Sequence, residues 1–174
     1  QEEIINTVND KKDVLAVMPT GGGKSICYQI PALMLEGITI VISPLISLMK
    51  DQVDTLNELE IKAAYINSSL SDNEIFYILT DVKNKKTKIL YIAPERLNSM
   101  SFVNLMKNLD VSMIAIDEAH CVSQWGHDFR KSYRNIPDFI NIFPKRPVVA
   151  CFTATATKEV RDDIVSVLEL RNPK

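Results

Sequence analysis

Two short stretches of this chain carry the residue types needed to handle a chain of phosphates. Thr20-Gly21-Gly22-Gly23-Lys24-Ser25 follows the apolar run Val14–Met18, and Asp117-Glu118-Ala119-His120 closes the apolar run Val111–Ile116. Glycines let a backbone turn tightly and bring its N–H groups close to phosphate oxygens. Lys24 and Ser25 then open a helical pattern reaching Leu35, and a helix N-terminus favours anions because its first N–H groups are unpaired. There Lys24 would neutralise the terminal phosphates, and the Ser25 hydroxyl would join a magnesium shell. Asp117, at the C-terminal end of a strand, is placed to hold the same magnesium, directly or through water. Glu118 is placed to orient or deprotonate an attacking water. Lys24, Asp117 and Glu118 are thus the catalytic candidates, Thr20 to Ser25 the nucleotide cradle, and Ser25 with Asp117 the metal ligands. The pair describes a nucleoside triphosphatase. Each stretch also has a plainer reading, a glycine turn in one case and an acidic helix start in the other. The common loop, G-x-x-x-x-G-K-[ST], opens on a glycine where this chain has Met18, so the loop is a variant of that form.

A third stretch, Ser123 to Tyr133, gathers Trp125, Phe129, Tyr133, Arg130 and Lys131 into a short loop. Aromatic faces stack on unpaired bases, each worth about 1–3 kcal/mol, and guanidinium pairs with phosphate. Trp125, Phe129 and Arg130 are therefore candidates for contact with single-stranded nucleic acid. The alternative is an aromatic knot packed on the core.

These residues need a frame, and the chain supplies an alternation of strand and helix. Further strand candidates are Thr39–Ser43, Lys62–Ile66, Lys88–Ile92 and Pro147–Phe152. The clearest helix runs from Pro44 to Leu59, with Ser43 as its cap and Leu45, Leu48, Met49, Val53, Leu56 and Leu59 as its apolar stripe. Ser71 and Glu74 form a capping box for a helix through Val82. A last amphipathic helix runs from Thr157 to Leu168, with Val160, Ile164, Val167 and Leu168 on one side. The repeated strand-helix-strand order implies an α/β fold with a mostly parallel sheet covered on both faces.

The 174 residues, 46% hydrophobic and 24% charged, suit one ordinary globular domain. No apolar run approaches a membrane span, and no membrane partner is expected. Cys27, Cys121 and Cys151 lie too far apart for zinc or disulfide spacing; Cys27 and Cys151, in apolar segments, read as small core residues, with a reducing compartment as a mild expectation. A net charge of −2 confines any nucleic-acid binding to a local patch. The Lys83-Asn84-Lys85-Lys86 run reads as a solvated loop. The start at Gln1, without methionine or signal peptide, reads as cut from a longer protein.

The order Met18–Ser25, Ser43–Val53, Tyr91–Leu97, Asp117–His120, Ser123–Arg130 and Phe152–Thr157 closely resembles the RecQ family of superfamily 2 DNA helicases. Ser123–Arg130 is the most specific of these pieces. The resemblance runs across essentially the whole chain and implies a RecA-like P-loop NTPase three-layer sandwich, the first lobe of a 3′-to-5′ ATP-dependent DNA helicase. It places the lobe at 1–170 and the start of a linker at 171–174. It implies ATP and Mg2+ as cofactors, with Gln1 reading adenine. It implies single-stranded and partly duplex DNA as partners, with Ser43, Lys50 and Arg96 on the phosphate backbone. His120, Gln124, His127, Thr153 and Thr155 would couple nucleotide to DNA. Arg96 has a structural alternative, an ion pair with Glu95 or another carboxylate. The family's arginine finger belongs to a second RecA-like lobe, so this chain alone is expected to bind ATP–magnesium weakly, hydrolyse it poorly and unwind nothing. The compartment would be cytoplasmic in a bacterium and nuclear in a eukaryote. A P-loop ATPase that moves no nucleic acid, another superfamily 2 ATPase, and a nucleic-acid module with a dead nucleotide site are the competing readings.

Overall fold

The computed structural model describes residues 1–174. Its six strands are β1 (Val14–Val17), β2 (Ile38–Ile42), β3 (Ala63–Ile66), β4 (Ile89–Ile92), β5 (Val111–Ile116) and β6 (Val148–Thr153). They form one sheet in the order β1-β6-β5-β2-β4-β3, every pair parallel. β2, β4 and β6 are buried at every position, which is why their sequences run apolar without alternation. The period of two survives in where those side chains go. Ile40 and Ile42 of β2, with Ile114 and Ile116 of β5, join one apolar cluster; Val41, Met113 and Ala115 join the other.

Helices cover both clusters. Against the first lie α4 (Asp72–Lys83), α5 (Met100–Met106), α6 (Ile136–Asn141) and α7 (Lys158–Val167). Against the second lie α1 (Glu2–Asn9), α2 (Lys24–Met34) and α3 (Ile46–Glu58). The three-layer expectation holds. α1, α5 and α6 were not anticipated; α5 and α6 span a turn or two, too short to give a periodic signal.

The caps refine the expectations. α4 carries its capping box: Ser71 N donates to Glu74 Oε2 at 2.7 Å, and Glu74 N donates to Ser71 Oγ at 3.3 Å. Thr157 caps α7, accepting from Val160 N at 3.3 Å. For α3 the expectation fails. Ser43 and Pro44 precede the helix, whose N-cap is Leu45 with no side-chain cap. Ser43 is instead buried beyond the end of β2, beside Asp117. The α3 stripe is also narrower than expected: Met49, Val53 and Leu56 are buried, whereas Leu45, Leu48 and Leu59 are exposed. On α7, Val167 likewise lies at the surface. All three cysteines are buried core residues, and Lys83 to Lys86 is exposed throughout. No helix is long and apolar enough to cross a membrane.

Candidate nucleotide and nucleic-acid site

The site forms at the C-terminal ends of β1, β6 and β5, which are neighbours in that order. After β1 the chain turns through Gly21 (φ 79°) and Gly23 (φ 81°), both left-handed, and α2 starts at Lys24. Only glycine adopts such angles without strain. A Cβ on Gly23 would also stand 2.1 Å from Gln1 Nε2. Gln1 is drawn in by its own hydrogen bond, Nε2 donating to Gly22 O at 2.9 Å. The residue expected to read the base thus sits on the loop expected to hold the phosphates. Thr20 is exposed at the turn.

Asp117 is 8% exposed at the end of β5. Burial, and then the neighbouring Glu118 charge, push its carboxyl above the ordinary carboxylate range. The Glu118 N–H bond, the Lys24 ammonium and the Ser43 hydroxyl pull the other way. Glu118 N donates to Asp117 Oδ1 at 3.0 Å. Ser25 Oγ and the Asp117 carboxylate are hard oxygen donors of the kind magnesium takes. Glu118 itself holds φ 49°, ψ 47°, a left-handed conformation for a residue with a full side chain. Such strain costs about 1–2 kcal/mol and gathers at working sites.

His120 links this end of the sheet to the aromatic stretch. Its Nδ1 lies 2.7 Å from Thr153 Oγ1 at the end of β6 and 3.4 Å from Glu118 Oε2. Its Nε2 lies 4.0 Å from Asp128 Oδ2, and its ring stacks on His127 at 4.9 Å. Burial is the main cause lowering its pKa, so the imidazole is neutral at pH 7. Thr153 Oγ1 also reaches Thr155 O at 3.1 Å.

The Ser123–Tyr133 stretch splits in two. Tyr133 is wholly buried and its hydroxyl donates to Asp117 O at 2.7 Å, so this ring does pack as core. Trp125 is 75% exposed, so the knot reading fails for it, whereas Phe129, 37% exposed, keeps most of its ring covered. The turn that presents Trp125 is tied down. Ser123 Oγ donates to Asp163 Oδ2 at 2.6 Å and accepts from Trp125 N at 3.2 Å. Gly126 passes so near that an added Cβ would meet His120 O at 2.9 Å. Arg130 pairs with Asp128 at 3.0 Å within the loop, which lowers the Asp128 pKa. Gln124 is exposed beside Trp125.

The remaining candidates divide. Lys50 is exposed on α3. Arg96 donates to Asn67 O from Nε (2.9 Å) and Nη2 (2.6 Å), and to Leu70 O at 3.2 Å. Its structural partners are main-chain carbonyls, not Glu95 or any carboxylate. Sequence reasoning passed over Gln52, whose Nε2 donates to Ser25 Oγ at 3.0 Å, and Asp128, which faces both His120 and Arg130. Gln52 had a signal: it lies at helical spacing from Met49 and Leu56, a polar residue on the buried face of α3.

A family model described as DEAD/DEAH box helicase matches residues 1–163. Over 172 residues the chain is 56% identical to ATP-dependent DNA helicase RecQ of Bacillus subtilis (strain 168), covering 98% of this chain and 29% of that protein. It is 49% identical over 173 residues to the enzyme of the same name from Pasteurella multocida (strain Pm70), covering 99% of this chain and 27% of that one. The chain thus spans under a third of the length of these relatives. The fold matches the crystal structure of the Pyrococcus furiosus Hef helicase domain with a TM-score of 0.75 at 20% identity, covering 99% of this chain and 36% of that one. On the family match, carried across nearly the whole sheet and its covering helices, the chain belongs to the DEAD/DEAH box helicases.

Proposed function

We propose that this chain is the ATP-binding lobe of a RecQ-like DNA helicase, residues 1–170, with 171–174 leading into a linker. Its similarity to two enzymes named RecQ supports that reading. ATP lies over Gly21–Ser25, with Gln1 at the base and Lys24 on the terminal phosphates. Ser25 and Asp117 would hold a magnesium ion, which would supply charge neutralisation at the phosphates. Glu118 takes or aims the attacking water. Trp125, Phe129 and Arg130 contact single-stranded DNA, joined by Lys50 and the part-buried Arg96; Ser43, buried beside Asp117, is not on that surface.

The observation that carries this reading is the His120 bridge. One buried imidazole reaches Glu118 and Thr153 through one nitrogen, and Asp128 of the Trp125 loop through the other. A shift of that loop on DNA moves His120, and with it the water-aiming carboxylate. Gln124, His127 and Thr155 flank the same path.

The test is fluorescence anisotropy of labelled single-stranded DNA with this chain, wild type against Trp125→Ala, at low and moderate salt. The expected result is salt-sensitive binding that weakens about 5-fold or more in the variant, the loss of one stacked base. Trp125 is largely exposed, so its truncation leaves the fold intact. Equal binding by both proteins removes the loop from the DNA interface. Robust ATP turnover with no binding at either salt favours an ATPase that moves no nucleic acid.

A further inference from the structure

Gln52 stands at the centre of a polar chain inside an apolar layer. Its Oε1 lies 2.8 Å from Tyr28 Oη and 2.7 Å from Tyr91 Oη, and its Nε2 lies 3.0 Å from Ser25 Oγ. Gln29 Nε2 donates to Tyr91 Oη at 3.2 Å. Both phenols are buried, and a phenol keeps its proton at neutral pH, so both are O–H donors. Tyr91 already receives Gln29 on its oxygen, so its proton passes to Gln52 Oε1. With Oε1 committed to phenol donors, the Gln52 amide has one orientation, and its N–H must face Ser25.

We propose that Gln52 is a positioning residue that sets the Ser25 hydroxyl for magnesium. A serine hydroxyl has two lone pairs and one proton. Gln52 occupies one lone pair, which leaves the second for the cation and points the O–H away from both. Without Gln52 the hydroxyl loses the partner that fixes its orientation. The three residues that aim the amide come from α2 (Tyr28, Gln29) and β4 (Tyr91), while Gln52 sits on α3, so the geometry is set before any ligand arrives. Such outer-shell partners typically carry 10–100-fold in metal affinity. This inference rests on the magnesium reading above.

The experiment is binding of a fluorescent ATP analogue to this chain in EDTA and across a Mg2+ titration. Wild type is expected to bind more tightly with Mg2+. Gln52→Met is expected to lower that Mg2+-dependent gain about 10-fold, with the loss confined to the Mg2+ arm. Ser25→Ala is expected to abolish the gain, and Gln52→Met added to it to cost nothing further. The Tyr28→Phe/Tyr91→Phe pair, which keeps the packed rings, is expected to lose part of the gain by freeing the amide; it serves if Gln52→Met does not fold. A wild-type gain retained in full by Gln52→Met, or a loss equal in EDTA and in Mg2+, overturns the proposal. Absence of any gain in wild type fails the magnesium reading itself, and this inference with it.

Discussion

Asp13 is the residue whose loss should damage the frame of the site most. It is 3% exposed, immediately before β1, the strand that carries the glycine loop. Its Oδ1 accepts from Arg146 Nη1 at 3.2 Å and Val149 N at 2.9 Å. Its Oδ2 accepts from Arg146 Nη2 at 2.9 Å and Arg171 N at 2.7 Å. One carboxylate therefore ties β1 to β6 and to the last residues of the chain, where Lys174 N and O bond Asp13 O and Leu15 N. Asp13→Ala strips the acceptor from every one of these donors. The Val149 N–H is wholly buried and has nowhere to turn, at about 1–3 kcal/mol. Arg146, whose side chain is 12% exposed, keeps Pro147 O and Glu169 O but loses its counter-charge. Breaking a buried pair from one side costs about 3–5 kcal/mol, and we expect Asp13→Ala to fall in that range. Arg146→Ala should cost less, about 1–3 kcal/mol, because Asp13 keeps two backbone N–H donors. Against a total stability of about 5–15 kcal/mol the Asp13 loss is large, and it should lower Tm by roughly 8–15 °C. Urea unfolding followed by circular dichroism measures both variants. A cost under about 1 kcal/mol for Asp13→Ala, or a larger cost for Arg146→Ala, would refute the reasoning.

Three further outcomes are expected. Gly23→Ala should lower stability by about 1–2 kcal/mol, since its φ is left-handed, and should also weaken nucleotide binding by displacing Gln1; binding equal to wild type would separate Gln1 from the loop. His120 has a folded pKa below its unfolded value near 6.5, so its contribution is fully present above pH 6.5 and is lost as pH falls toward the folded pKa, where the unfolded chain binds the extra proton; His120→Gln should flatten the stability–pH curve over that window, and parallel curves would contradict it. Cys27, Cys121 and Cys151 are wholly buried, with the Cys121 thiol pushed up to about 12; in native protein at pH 8 an aromatic disulfide reagent should titrate no thiol, and all should react in denaturant.

The candidate site was legible in one dimension because its groups sit in contiguous residues. A glycine turn followed by Lys24-Ser25, and an acidic pair closing an apolar run, need only local backbone geometry to present their groups. The strands were legible for a similar reason: segments buried on both faces run apolar end to end, as Ile38–Ile42 does. Short helices such as α5 and α6 were not, since a turn or two carries too little periodicity to rise above chance. Local signals also misled where tertiary contacts compete. Ser43 before Pro44 has the form of a helix cap, yet burial beside Asp117 claims it and α3 starts without it.

Only the folded molecule decided how distant residues meet. Parallel pairing slides β6 between β1 and β5, which brings Thr153 to His120 across 33 residues of sequence. The same pairing brings Arg146 to Asp13 across 133 residues. Gln52 meets Ser25 because α3 and α2 lie on one face of the sheet. A side chain's type and its neighbours along the chain say what it can bond. Which partner it bonds depends on strand order and helix layer, which are set by the burial of the whole apolar surface at once.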